Sequence, residues 1–163
     1  MSIMKVTPGQ VSRSEFRLLI NISLFSACIG ALFFILTLRP DILSSTLFLP
    51  TQISLAVPFI LSSLFSRARL GFTRKPEIWK GFAFATFLIG YTFIINSLGI
   101  LLGLFVDPRV AMLFLMTNIA LAVMYSILEV REHPAEIGSR IFKDLAFILL
   151  VLFGGLLPAL GIW

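Results

Sequence analysis

Charged residues are absent from five long stretches of this sequence, and these stretches make up most of its length. They cover residues 18–38, 46–65, 82–105, 110–128 and 145–163, and contain 21, 20, 24, 19 and 19 residues. The 13 Lys and Arg, the 8 Asp and Glu and the one histidine all lie outside them. This distribution excludes an ordinary soluble domain. It also disfavours a proton-coupled or charge-selective transporter, because such proteins carry ionisable groups inside their membrane helices.

The lengths of the five stretches predict membrane-spanning helices. A helix rises about 1.5 Å per residue, so about 20 residues cross a hydrocarbon core of roughly 30 Å, where a helix satisfies its own backbone hydrogen bonds. We expect an all-α, polytopic integral membrane protein in which residues 1–163 form a single bundle of five transmembrane helices. The alternative is four spans and a re-entrant C-terminal segment, because Gly154, Gly155, Pro158 and Gly161 interrupt the fifth stretch.

The chain has a single cysteine, and we do not expect its first stretch to be a cleaved leader. Cys28 lies inside the first stretch and cannot form an intrachain disulfide, so the sequence does not indicate a redox compartment. The first stretch is too long for the apolar core of a signal peptide. Ser12 and Glu15 have the spacing of a capping box, which predicts that the first helix begins near Arg13.

Lysine and arginine are distributed unevenly between the two ends of the predicted bundle. With five spans, 11 of the 13 basic residues fall on one side, and only Arg39 and Arg109 fall on the other. Short basic loops stay in the cytoplasm, so we expect the N-terminus on the cytoplasmic side and Trp163 on the opposite side. We expect the membrane to be the plasma membrane. The net charge of +5 then reflects topology and contact with anionic headgroups, and it does not indicate a nucleic-acid partner.

Polar residues recur at helical spacing in the second stretch. Thr51, Ser54, Pro58, Ser62 and Ser66 fall on one face of a helix that Pro58 is expected to kink. We interpret this face as packing in which hydroxyl groups bond to their own helix. The alternative is a helix that borders a polar cavity or a solute path, because a proline frees carbonyl groups that need other donors.

The third and fourth stretches are joined by only four residues, 106–109, which predicts an antiparallel hairpin. Asp107 and Pro108 suit the N-cap and first turn of the fourth helix. Asn96 and Asn118 lie near mid-membrane on the two helices, where a buried amide needs a partner. We expect an interhelical hydrogen bond, with direct contact between the two asparagines as one form of it. The alternative is a polar site for a headgroup or solute.

Small residues form a stripe along the third stretch. Gly99 and Gly103 make a Gly-x-x-x-Gly step. In lipid, small residues let another helix approach closely, and this packing drives helix association. The step therefore predicts a helix-packing face.

The two long connectors hold the polar residues that can face the cytoplasm. The first carries a basic and aromatic set suited to the headgroup layer, namely Arg67, Arg69, Arg74, Lys75, Trp79 and Lys80. We expect an interfacial half-helix there, in contact with anionic lipid, with docking of an acidic partner as the alternative. The second connector places Glu132 beside His133 without metal-ligand spacing. We interpret it as a solvated loop, in preference to an acid/base or metal site.

These observations leave three hypotheses for function. We favour a non-catalytic subunit or an assembly component of a membrane complex, because the loops are short and small residues line packing faces. The second hypothesis is a transporter or channel protomer for a neutral or lipid-like solute. The third is a membrane enzyme that acts on lipid through residues 129–143. No cofactor or metal is expected. The expected partners are the lipid bilayer and other membrane subunits, or further copies of this chain.

Overall fold

The computed structural model is a bundle of antiparallel helices. The structure describes residues 19–20, 22–27, 29–31, 33–34, 37, 41, 47–70, 72–132 and 137–162. Within these residues there is no strand, and the described parts of the first stretch, such as 22–27 and 29–31, are helical. The capping box at Ser12 and Glu15 and the lone Cys28 lie outside the described residues.

Long helices account for most of the described chain. They are α1 (Phe48–Arg69), α2 (Pro76–Phe105), α3 (Pro108–Glu132) and α4 (Ile137–Val151). A π-helical segment, Leu152–Leu156, and the short helix α5 (Leu157–Ala159) continue directly from α4. We call α4, the π segment and α5 together the C-terminal helix.

Four of these helical runs are long and apolar enough to cross a membrane: Phe48–Arg69, Pro76–Phe105, Pro108–Arg131 and Ile141–Ala159. This confirms the predicted fold class, a bundle of membrane-spanning helices. The first three runs are longer than the corresponding charge-free stretches, because polar residues can stay helical beyond the hydrocarbon layer.

The prediction of a separate half-helix in the first long connector was wrong. Arg67 and Arg69 belong to the last turn of α1, and Lys80 belongs to the first turns of α2. The described residues between the two helices form a short turn. Pro76 is the reason that α2 starts so early, since proline is favoured in the first turn of a helix.

The C-terminal helix contacts both ends of the bundle. At one end, the Lys143 Nζ lies 4.6 Å from the centre of the Phe84 ring. At the other end, the Ala159 carbonyl packs against Gly103. The described residues of the fifth stretch therefore cross the bundle, as the first prediction required, and do not turn back as a re-entrant segment would.

The predicted hairpin between α2 and α3 is confirmed. The Asp107 carboxylate accepts a hydrogen bond from the Arg109 N–H at 2.6 Å, and the Asp107 carbonyl accepts from Val110 and Ala111 at 3.0 and 3.1 Å. Asp107 thus satisfies N–H groups that the first turn of α3 leaves without helical partners.

The apolar core divides into two clusters. The larger one joins α1, α2, α3 and the C-terminal helix, and consists of Leu49, Ile53, Ile95, Ile100, Ala111, Leu115, Phe147, Val151 and Ala159. The smaller one is formed by Ala56 and Ile60 of α1, and Leu24 and Phe25 of the first stretch pack against it. Residues of the first stretch therefore lie beside both α1 and α2.

Candidate functional site

Two amide side chains are buried between α1, α2 and the C-terminal helix. Gln52 is 5% exposed and Asn96 is 0% exposed. The Gln52 Nε2 donates to the Gly154 carbonyl, and the Asn96 Nδ2 donates to the Leu150 carbonyl at 3.0 Å. We call Gln52, Asn96, Gly154 and Gly155 the amide–glycine cluster. Its hydrogen bonds attach two helices to the backbone of a third.

The C-terminal helix departs from regular α-helical bonding beside this cluster. The Leu157 N–H bonds to the Leu152 carbonyl, five residues back, which defines the π segment. In a regular α-helix the N–H of residue 158 would donate to the Gly154 carbonyl, but proline has no N–H. Gln52 therefore donates to the carbonyl that Pro158 cannot serve.

Both glycines are required by the close approach of Asn96. A Cβ atom on Gly155 would lie 2.5 Å from the Asn96 Oδ1, and a Cβ atom on Gly154 would lie 2.7 Å from the Asn96 Nδ2. Any larger residue at either position would force the amide to move. The glycine pair thus makes room for the hydrogen bond between Asn96 and Leu150.

The amide oxygens of Gln52 and Asn96 differ from the amide nitrogens in their hydrogen bonding. Within the described part of the chain, no hydrogen-bond donor reaches the Gln52 Oε1 or the Asn96 Oδ1. An amide oxygen without a donor is costly in an apolar interior. The cluster therefore contains two buried hydrogen-bond acceptors that have no donor among the described residues.

The predicted direct contact between Asn96 and Asn118 was wrong. The Asn118 Nδ2 donates to the Phe114 carbonyl of its own helix at 2.9 Å, whereas Asn96 turns to the C-terminal helix. The hairpin fixes the depth of each residue but not the direction in which it faces. Asn96 therefore has an interhelical partner, as expected, and Asn118 does not contribute one here.

The predicted polar face of α1 is only partly exposed. Ser66 is buried and its Oγ donates to the Ser62 carbonyl at 2.6 Å, and both serines line a groove of about 510 Å³. Thr51, Ser54 and Pro58 are exposed on the outside of the bundle, and Ser62 is half-buried. The buried side of α1 is the adjacent face, which includes Gln52 and Ser63. The Ser63 Oγ donates to the Ala83 carbonyl of α2 at 2.8 Å.

The Gly-x-x-x-Gly step contacts two neighbours. A Cβ atom on Gly99 would lie 2.7 Å from the Leu115 side chain in α3, and a Cβ atom on Gly103 would lie 2.6 Å from the Ala159 carbonyl. Gly99 thus allows close packing of α2 against α3, and Gly103 allows close packing of α2 against the C-terminal helix.

The basic connector residues cluster with aromatic rings at the opposite end of the bundle. The Arg69 guanidinium lies 4.9 Å from the centre of the Trp79 ring, and Lys80 forms a 2.9 Å ion pair with Glu77. Arg74 and Lys75 are exposed in the turn between α1 and α2. We call this region the basic end. Its exposed cations and rings suit the headgroup layer of a membrane.

Of the two candidate acid/base residues, only Glu132 belongs to the described part of the chain. His133 lies outside the described residues, and Glu132 is the last residue of α3. The described residues contain no group of three or more His, Cys, Asp or Glu that could hold a metal ion.

The sequence interpretation missed Gln52, although a signal was present. Gln52 is the only glutamine in the five stretches, and Pro158 follows Gly154 by four residues. A buried donor and a carbonyl without a helical partner are expected to form a hydrogen bond with each other.

Comparison with protein-family models, with curated proteins and with solved structures found no match to this chain.

Proposed function

We propose that this chain is a non-catalytic component of a membrane complex, either a structural subunit or an assembly component. The supporting observation is that polar side chains inside the described helices are used to hold the bundle together. Ser63, Asn96 and Gln52 bond to neighbouring helices. Thr86, Thr92 and Ser97 bond to carbonyls of their own helix. This use of polar groups is typical of a packed scaffold.

The face that this proposal assigns to a partner lies on α3. This helix is the least buried of the four spanning runs. Its outward side carries large apolar residues, among them Val110, Met112, Leu113, Met116, Leu121, Met124 and Leu128. Small contributions from many apolar contacts on such a face can join it to another membrane subunit or to a second copy of this chain.

Purification in a mild detergent tests the proposal. We expect the tagged chain to co-purify with other membrane proteins, or with an untagged copy of itself, and to lose them when Leu113→Trp blocks the α3 face. Ile141→Trp is the matched control, because Ile141 is 60% exposed and Leu113 is 69% exposed. A monodisperse single chain that carries no partner would refute the proposal.

The proposed membrane is the plasma membrane, with the basic end in the cytoplasm. The supporting observation is that Arg67, Arg69, Lys80 and Lys143 lie at the same end of the bundle, whereas Arg109 lies at the other. In a Cys28→Ser background, we expect an impermeant thiol reagent to label Arg109→Cys in intact cells and Arg74→Cys only after lysis. The reverse pattern would exclude this orientation.

A second candidate function is a protomer of a transporter or channel for a neutral, hydroxyl-bearing or lipid-like solute. The observation that favours it is the pair of buried amide oxygens in the amide–glycine cluster, for which no donor is present among the described residues. Proteoliposomes containing the chain should then pass glycerol faster than empty vesicles, and Gln52→Leu should abolish the difference. Equal rates for both vesicle types would remove this candidate.

A further inference from the structure

Arg69 and Trp79 bring the ends of α1 and α2 into contact at the basic end. The Arg69 guanidinium lies over the Trp79 ring, 4.9 Å from its centre. A guanidinium that lies over a ring uses its flat face, and the N–H groups at its edge can still bind two oxygens of a phosphate. Trp79 thus holds the Arg69 side chain in place while Arg69 keeps the capacity to bind an anion.

A groove of about 510 Å³ opens beside this pair. Its wall consists of Ser62, Phe65, Ser66, Ala68, Arg69, Phe72, Trp79 and Phe82. Among these residues Arg69 carries the only charge. Glu77, two residues before Trp79, does not line the groove and forms an ion pair with Lys80 at 2.9 Å. The wall of this groove is therefore positively charged and largely aromatic.

The charged and apolar parts of the wall follow each other along the two helices. Phe65 lies about one turn before Arg69 on α1, and Phe82 lies about one turn after Trp79 on α2. Phe65 ends one charge-free stretch and Phe82 begins another, and both side chains are exposed. Their rings therefore lie where the hydrocarbon layer begins. A phospholipid has the same order of groups, a charged phosphate followed by apolar chains.

We propose that this groove binds one anionic phospholipid. The Arg69 guanidinium binds the phosphate, and an acyl chain packs against Phe65 and Phe82. Trp79 contacts both parts of the site, since its ring lies under Arg69 and packs edge to face against Phe82 with the ring centres 6.4 Å apart. Arginine and tryptophan are both suited to the headgroup layer, where cations meet anionic lipid.

The aromatic wall favours a lipid over an acidic segment of a soluble protein. Such a segment could pair with Arg69, but it would leave the exposed rings of Phe65 and Phe82 unused. Arg74 and Lys75 are exposed in the adjoining turn, and their positive charge favours an anionic headgroup over a zwitterionic one. The site is independent of whether the chain belongs to a complex, so the two proposals can fail separately.

Quenching of Trp79 fluorescence by brominated lipid tests the proposal. The chain has two tryptophans, so a Trp163→Phe variant reports from Trp79 alone. It is reconstituted in vesicles with equal amounts of phosphatidylglycerol and phosphatidylcholine, in which the acyl chains of one lipid or of the other carry bromine. We expect brominated phosphatidylglycerol to quench Trp79 more strongly. Arg69→Gln should reduce this preference by about fivefold, because a basic residue near a headgroup contributes about 1 kcal/mol.

The matched control is Arg74→Gln, which removes the same charge at the same end but outside the groove wall. This variant should keep the preference that Arg69→Gln loses. Quenching of each variant is divided by its own fluorescence in vesicles without bromine, so that loss of the contact with the guanidinium does not affect the comparison. Arg69 and Arg74 are both exposed, and a circular dichroism spectrum checks that each variant is folded.

Four results would overturn the proposal. Equal quenching of the parent by the two brominated lipids would show that no anionic lipid is selected, and equal losses in Arg69→Gln and Arg74→Gln would show that net charge alone attracts lipid. Loss of the preference in millimolar inorganic phosphate, at an ionic strength held constant with chloride, would identify a soluble phosphate as the ligand. If Arg69→Gln kept the lipid preference but lost an acidic protein that co-purifies with the parent chain, the ligand would be a protein.

Discussion

The glycines near the amide–glycine cluster and those at the basic end differ in how closely other atoms approach them. Near the amide–glycine cluster, Gly103, Gly154 and Gly155 each face an atom at less than 3.0 Å from where a Cβ would lie. At the basic end, Gly81 and Gly138 have nothing within 4 Å of that position. The contrast shows that Gly103, Gly154 and Gly155 allow neighbouring atoms to approach closely, whereas no such approach occurs at Gly81 and Gly138. Glycine is therefore required at the first three positions and replaceable at the other two.

Alanine substitution of glycine should show the largest difference between the two ends. Gly103→Ala would press a methyl group against the Ala159 carbonyl, and Gly155→Ala would displace Asn96. We expect each to lower the free energy of unfolding by about 1–3 kcal/mol, as overpacking usually does. Gly81→Ala and Gly138→Ala should leave it unchanged or raise it by up to about 1 kcal/mol, since alanine favours helix.

Unfolding of the purified chain in mixed micelles, followed by circular dichroism, measures these differences. The four variants share one chemical change and differ only in location. If Gly103→Ala and Gly81→Ala gave the same unfolding curve, the close contact between α2 and the C-terminal helix would be disproved.

Alanine substitution of the two asparagines should lower the free energy of unfolding by different amounts, and this difference should be smaller than that between the glycine variants. Asn96→Ala removes an interhelical hydrogen bond and should lower the free energy of unfolding by about 1 kcal/mol. Asn118→Ala removes a bond within its own helix and should change it by less than about 0.5 kcal/mol. The same micelle assay applies, and a larger loss for Asn118→Ala would contradict the assignment of partners.

Gln52 and Pro158 are expected to be energetically coupled, because both affect the hydrogen bonding of the Gly154 carbonyl. Gln52→Leu removes the donor to the Gly154 carbonyl, whereas Pro158→Ala supplies an N–H that can replace it. Gln52→Leu should therefore be less destabilising in a Pro158→Ala background, by about 0.5–1 kcal/mol in a double-mutant cycle. Additive effects would show that the two residues do not serve the same carbonyl.

The sequence was sufficient to predict the membrane helices and the hairpin, because both depend on local signals. Runs without charge determine where helices can cross the membrane, and Asp107 followed by Pro108 determines where α3 begins. Neither signal depends on which helices are neighbours.

The inward faces could not be predicted in the same way. Helices that are apolar on all sides carry no periodic signal that distinguishes core from lipid. The choice of the face with Thr51, Ser54, Pro58, Ser62 and Ser66 relied on polarity. The first three of these residues are exposed, and only Ser66 is buried. Gln52, one position away from Thr51, is the residue that reaches the core.

The π segment changes the direction in which the end of the chain faces. It is equivalent to one residue inserted into a regular helix. One residue corresponds to about 100° of rotation around the helix axis. The π segment therefore determines the direction in which each residue after Leu156 faces around that axis. With this rotation, Ala159 faces α2 and contacts Gly103. A chain shorter by one residue in 152–156 would keep its composition and its hydrophobicity, but would swing Ala159 away from α2 towards a different neighbour.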